Sequence, residues 1–73
     1  MATKKILYEK YKEGTYHFRI YDYNTGMLIP AWCSCRIWGE TPHSYRIQIC
    51  AAIPKHAIGD YLWVQKQFVK FKS

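Results

Sequence analysis

Seventy-three residues carry eleven Lys and Arg against five Asp and Glu, a formal charge of +6, with 49% apolar and 18% aromatic side chains. A chain of this length buries only about 60% of its unfolded surface, so a single domain, residues 1–73, is expected, with one core and no deep catalytic cleft. The apolar content excludes a disordered tail, and no apolar run approaches the roughly 20 residues that cross a bilayer.

The N-terminal stretch is charged and lacks the apolar centre of a signal peptide, and three cysteines, an odd number, suit a reducing compartment. A soluble cytoplasmic protein is expected. Its charge favours nucleic acid or an acidic protein surface as partner; no membrane partner is expected.

Turn-forming residues fall at Glu13-Gly14, Asn24-Thr25-Gly26, Gly39-Glu40-Thr41-Pro42 and Pro54, and the segments between them are short and rich in Tyr, Ile, Trp and Phe. That is the composition of strands. Residues 5–12 predict an edge strand whose lysines discourage edge-to-edge pairing. In residues 15–23, Tyr16, Phe18 and Ile20 share one face, and His17, Arg19, Tyr21 and Tyr23 share the other.

Residues 27–38 divide in the same way. Met27, Ile29, Ala31, Cys33, Cys35 and Ile37 form a core face, and Leu28, Pro30, Trp32, Ser34, Arg36 and Trp38 lie opposite. In residues 44–53, Tyr45, Ile47, Ile49, Ala51 and Ile53 are apolar, with Arg46, Gln48 and Cys50 opposite. The short connections imply an antiparallel meander.

Residues 55–72 admit two readings. At 100° per residue, Ala57, Ile58, Tyr61, Leu62, Val64, Phe68, Val69 and Phe71 gather on half of a helical wheel, with Trp63 misplaced on the polar half and Gln65 and Lys72 on the apolar half. As a strand, the stretch loses its alternation around Gln65 to Gln67. The expected fold is therefore α+β, a four-stranded antiparallel meander with one C-terminal helix packed on its apolar face. The alternative is an all-β SH3- or OB-like small barrel in which the stretch forms a hairpin. The helix-backed layout is similar to that of AP2-type and integrase arm-binding domains, and the likeness implies a sheet laid against DNA. No motif of those families occurs in the chain.

The helix would leave the opposite sheet face open, carrying His17, Arg19, Tyr21, Trp32, Arg36, Trp38, Arg46 and Gln48. Flat rings stack on bases, and guanidinium groups pair with phosphates or guanine edges. The same residue types dominate protein interfaces. A basic module that binds nucleic acid through this face is expected. The alternative is a protein-binding inhibitor or adaptor acting on a host protein, of the kind encoded by phages and mobile elements.

Lys4, Lys5, Lys10, Lys12, Lys66, Lys70 and Lys72 would supply the rim. Cys33, Cys35, His43, Cys50 and His56 lack the spacing of zinc knuckles, so no metal or cofactor is expected. No nucleophile elbow, phosphate loop or telling carboxylate pair occurs, so no enzyme activity is expected. The chain is expected to be a monomer or a homodimer, with the edge at residues 5–12 open to strand addition from a second copy.

Overall fold

The computed structural model describes residues 4–72. They form five strands in one antiparallel sheet: β1 (Ile6–Asp22), β2 (Met27–Glu40), β3 (Ser44–Ile49), β4 (Tyr61–Gln65) and β5 (Val69–Phe71). The spatial order is β4-β3-β2-β1-β5. The sole helical element among the described residues is a 3-10 turn, Lys66–Phe68. No helix there is long and apolar enough to cross a membrane.

This overturns the helix-backed α+β reading and, with it, the likeness to AP2-type and integrase arm-binding domains. Residues 55–72 form neither a helix nor a hairpin. β4 pairs with β3 and β5 pairs with β1, so the two strands sit at opposite ends of the sheet. The lost alternation around Gln65 to Gln67 marks the 3-10 turn that carries the chain across. Within β4 the period of two is intact: Leu62 and Val64 pack on the core while Tyr61 and Trp63 are exposed. The helical wheel fitted because two short strands on either side of a turn happened to match its angles. Gly59, Val64, Val69 and the aromatic residues carry little helix propensity, and here propensity decided.

β1 is a single strand of 17 residues, where the sequence suggested two segments divided at Gly14. Gly14 is buried in its middle, where a Cβ would collide with the Lys70 carbonyl oxygen and sit 2.8 Å from Ile37 Cδ1. Its role is close approach of β5, not a turn. The turn at Asn24-Thr25-Gly26 does form. Gly26 takes φ +72°, its N–H donates to the Asp22 carbonyl, and the Asp22 carboxylate accepts from Asn24 N–H and the Thr25 hydroxyl.

With no helix to cover it, the apolar face is enclosed by the curl of the sheet. Cys33, Cys35 and Ile37 of β2, Ile47 and Ile49 of β3 and Val69 of β5 form the buried core. Tyr8, Tyr16, Phe18, Tyr45, Ala51 and Ile53 pack around it. Phe71 of β5 meets Tyr45 of β3 edge-on at 5.1 Å, although two strands separate β5 from β3 in the ladder order.

The β1–β2 hairpin outgrows this core. β5 pairs with β1 only from Gly14 to Tyr16, and β3 pairs with β2 only from Cys35 onward. Residues 17–22 and 27–32 therefore pair only with each other, as a two-stranded arm about 20 Å long. The radius of gyration, 13.4 Å, exceeds the roughly 11 Å of a compact chain of this length, and the long axis is 43 Å. The arm also corrects the core assignment, because Met27 and Ile29 lie beyond any covering strand and are 65% and 45% exposed.

Candidate functional site

All eight expected residues lie on the outer face of the sheet. On β1 the even residues Gly14, Tyr16 and Phe18 face the core side, which leaves His17, Arg19 and Tyr21 outside. On β2, Cys33, Cys35 and Ile37 are buried, so Trp32 and Arg36 are outside. Arg46 and Gln48 alternate with the buried Ile47 and Ile49 on β3. Registers pair His17 with Trp32 and Arg36 with Gln48 across the strands.

Within that face the residues form two groups. Arg36, Trp38, Arg46 and Gln48 belong to one lattice on the body. The Arg36 guanidinium lies 4.7 Å from the Tyr11 ring, and Tyr11 meets Trp38 at 5.2 Å. Trp38 Nε1 donates to Gln48 Oε1 at 3.1 Å, and Gln48 Nε2 donates to the Gly59 carbonyl. Arg46 lies over both Tyr61 (4.9 Å) and Trp63 (5.6 Å), and Lys5 covers Trp63 as well. Trp38 keeps the outward parity of Arg36, and a bulge in β2 between Ile37 and Gly39 sets Gly39 in register with Arg46. Such cation–ring contacts hold each guanidinium flat and pre-orient its N–H groups.

The second group is on the arm, where His17, Arg19, Tyr21 and Trp32 are spread along the ribbon. Tyr21 meets Tyr23 edge-on at 4.8 Å, and His17 Nε2 lies 2.9 Å from the Thr15 hydroxyl. Trp32 is 64% exposed at the base of the arm.

Between the groups lies a groove of about 600 Å³. Ser34 and Thr15, both small, line it between Trp32, Arg36 and the β5 side chains Lys70 and Lys72. Three cations and one exposed indole therefore line the same groove. Glu13 is the acid among them, and Lys72 Nζ stands 3.6 Å from its carboxylate in an exposed pair. Cys50 reaches the same groove from the end of β3.

Tyr11, Tyr61 and Trp63 were not expected on this face. Reading residues 61–65 with a period of two would have placed Tyr61 and Trp63 there. Tyr11 shares the parity of His17, Arg19 and Tyr21, so the period of two carried back through the single strand β1 would have placed it there as well; the division of the segment at Gly14 hid it. Lys70 and Lys72 were expected at the rim. They stand inside the groove because β5, not a helix, carries them. Lys66 is absent from the face and bonds Glu40 instead, at 2.7 Å.

The cysteines divide between core and surface. Cys33 and Cys35 are buried, and burial pushes the Cys35 thiol up to about 12; Cys50 is exposed. Among the described residues no group of three His, Cys, Asp or Glu is arranged to hold a metal ion. Comparison of the chain with protein-family models, curated proteins and solved structures gives no match.

Proposed function

We propose that this chain is a small basic module that binds nucleic acid through the outer face of its sheet, with the groove between β2 and β5 as the centre of contact. The observation that carries the reading is the groove itself: an exposed indole, Trp32, facing Arg36, Lys70 and Lys72 across Ser34 and Thr15. A base stacks on Trp32, and the lysines neutralise the phosphates that follow it. Arg36, held against Tyr11, offers a fixed fork to a phosphate or a guanine edge. The Arg46–Trp63–Tyr61 cluster extends the contact across β3 and β4.

A groove with an exposed ring at one wall suits a strand whose bases are splayed rather than a closed duplex, whose rings are stacked out of reach. Trp32→Ala is expected to weaken binding of a labelled single-stranded oligonucleotide by roughly 1 to 3 kcal/mol in an anisotropy titration, with the fold kept. Lys70→Ala with Lys72→Ala should weaken it on every sequence alike. Equal affinity of wild type and both variants contradicts the placement of the site. The competing reading, an adaptor or inhibitor that binds an acidic protein surface, predicts no oligonucleotide affinity and one stoichiometric protein partner mapped to the same tryptophan.

A further inference from the structure

Beyond the groove at the centre of the proposed contact, the arm carries a second surface. It is apolar on both sides: Phe18, Ile20, Met27 and Ile29 on the core side, Tyr21, Leu28 and Pro30 on the other. A ribbon of two strands is marginal in water unless something covers it. The arm also differs in charge from the rest of the chain. Residues 17–32 contain one Arg and one Asp and so carry no net charge, in a protein of +6.

Its two free edges are unequal, and the hydrogen-bonding phase decides which is open. Lys72 N–H donates to the Glu13 carbonyl and Cys50 N–H donates to the Ser34 carbonyl. Odd residues of β1 and even residues of β2 therefore turn their backbone groups away from the hairpin. On the β2 edge of the arm this phase exposes Pro30, which has no N–H to offer, so that edge is blunted. On the β1 edge it exposes complete donor–acceptor pairs at Arg19 and Tyr21, and no strand among the described residues pairs with them on that side.

We infer that two copies of this chain associate through the β1 edges of their arms, antiparallel about a twofold axis at Ile20. Registers centred on Arg19, Ile20 and Tyr21 all satisfy the same hydrogen-bonding phase, and centring on Tyr21 sets Ile20 against the Asp22 carboxylate on the apolar side. Centring on Arg19 sets one guanidinium against the other, which like charge disfavours. Centring on Ile20 sets Arg19 against Tyr21 of the second copy, a cation–ring pair, and sets Ile20 against Ile20. The tip of each arm then reaches the open groove of about 500 Å³ that Tyr16, Phe18, Gln67 and Phe68 line beside the β1 edge of the other. Edge pairing adds backbone hydrogen bonds at Arg19 and Tyr21 of each copy and joins two marginal two-stranded ribbons into one four-stranded sheet. Pro30 prevents a further copy from adding at the other edge, so the assembly closes at two. A twofold axis normal to the sheet leaves both outer faces on the same side of the four-stranded centre.

Sedimentation equilibrium of the intact chain tests the inference, together with cysteine crosslinking in a Cys50→Ser background, with oxidised glutathione as oxidant. Ile20 falls at a non-hydrogen-bonded pair, where Cα atoms stand about 4.5 Å apart, within disulfide range. The expected result is a dimer, fast crosslinking of Ile20→Cys, slow crosslinking of Thr25→Cys, and a dimer dissociation constant raised at least about tenfold by Ile20→Lys. Ile20 faces away from the groove, so oligonucleotide binding by the Ile20→Lys monomer separates this inference from the proposed function. A wild-type chain that stays monomeric to submillimolar concentration overturns it, as does a dimer in which Thr25→Cys crosslinks as fast as Ile20→Cys.

Discussion

Gly14 shows how much one missing side chain decides. The β5 backbone passes so close to it that a methyl group would press on the Lys70 carbonyl, and a backbone atom cannot swing aside as a side chain can. Gly14→Ala is expected to push β5 off β1 and to cost about 2 kcal/mol or more, read from the midpoint of urea denaturation. A loss of only a few tenths would mean that β5 is not seated as described. The cysteines make a second prediction at this scale. Burial raises both Cys33 and Cys35, the latter to about 12, so neither forms thiolate near neutral pH. A thiol reagent should modify one cysteine quickly in the folded protein and all three only after denaturation, and Cys50→Ser should remove the fast phase.

Between elements, Glu40 at the end of β2 is the tie. Its carboxylate accepts from Lys66 of the 3-10 turn and from the Tyr8 hydroxyl of β1, and so joins three parts of the chain. The Lys66 bond and then the Tyr8 bond hold the Glu40 carboxyl below its usual range, and the same contact holds Lys66 above its own. A carboxyl lowered in the folded state stabilises the fold above its unfolded value, and the contribution is lost as pH falls through the folded one. The lysine contributes fully below its unfolded value and loses that contribution as pH rises through the raised one. Glu40→Gln should therefore flatten the acid limb of a stability-against-pH curve. An unchanged acid limb would exclude Glu40 as its source.

What was legible in the sequence follows the same division. β2 and β3 could be read because their inner residues, from Cys33 to Ile37 and from Tyr45 to Ile49, alternate without a break. The shared outer face could be read from them for Trp32, Arg36, Trp38, Arg46 and Gln48, and from the alternation of residues 15–23 for His17, Arg19 and Tyr21. Residues 55–72 could not, because β4 and β5 are five and three residues long, too short for a period of two to stand against a chance helical angle. The arm was hidden for a different reason. Met27 and Ile29 have the composition of core residues, and only the lengths of the neighbouring strands show that nothing covers them.

At the scale of the whole molecule, form and charge divide the labour. The curled body fixes a basic, ring-rich outer face, and the neutral arm extends from it. Nucleic-acid binding is the central proposal, and counterion release is its most direct signature. Arg36, Lys70 and Lys72 line the groove together, so about three phosphates should be neutralised there. The decisive measurement is the affinity for a single-stranded oligonucleotide over a series of salt concentrations. The slope of log K against log salt should be about −2 and should fall in magnitude by roughly 0.7 for each groove lysine replaced by alanine. No binding at low salt, or an affinity indifferent to salt, would contradict the account.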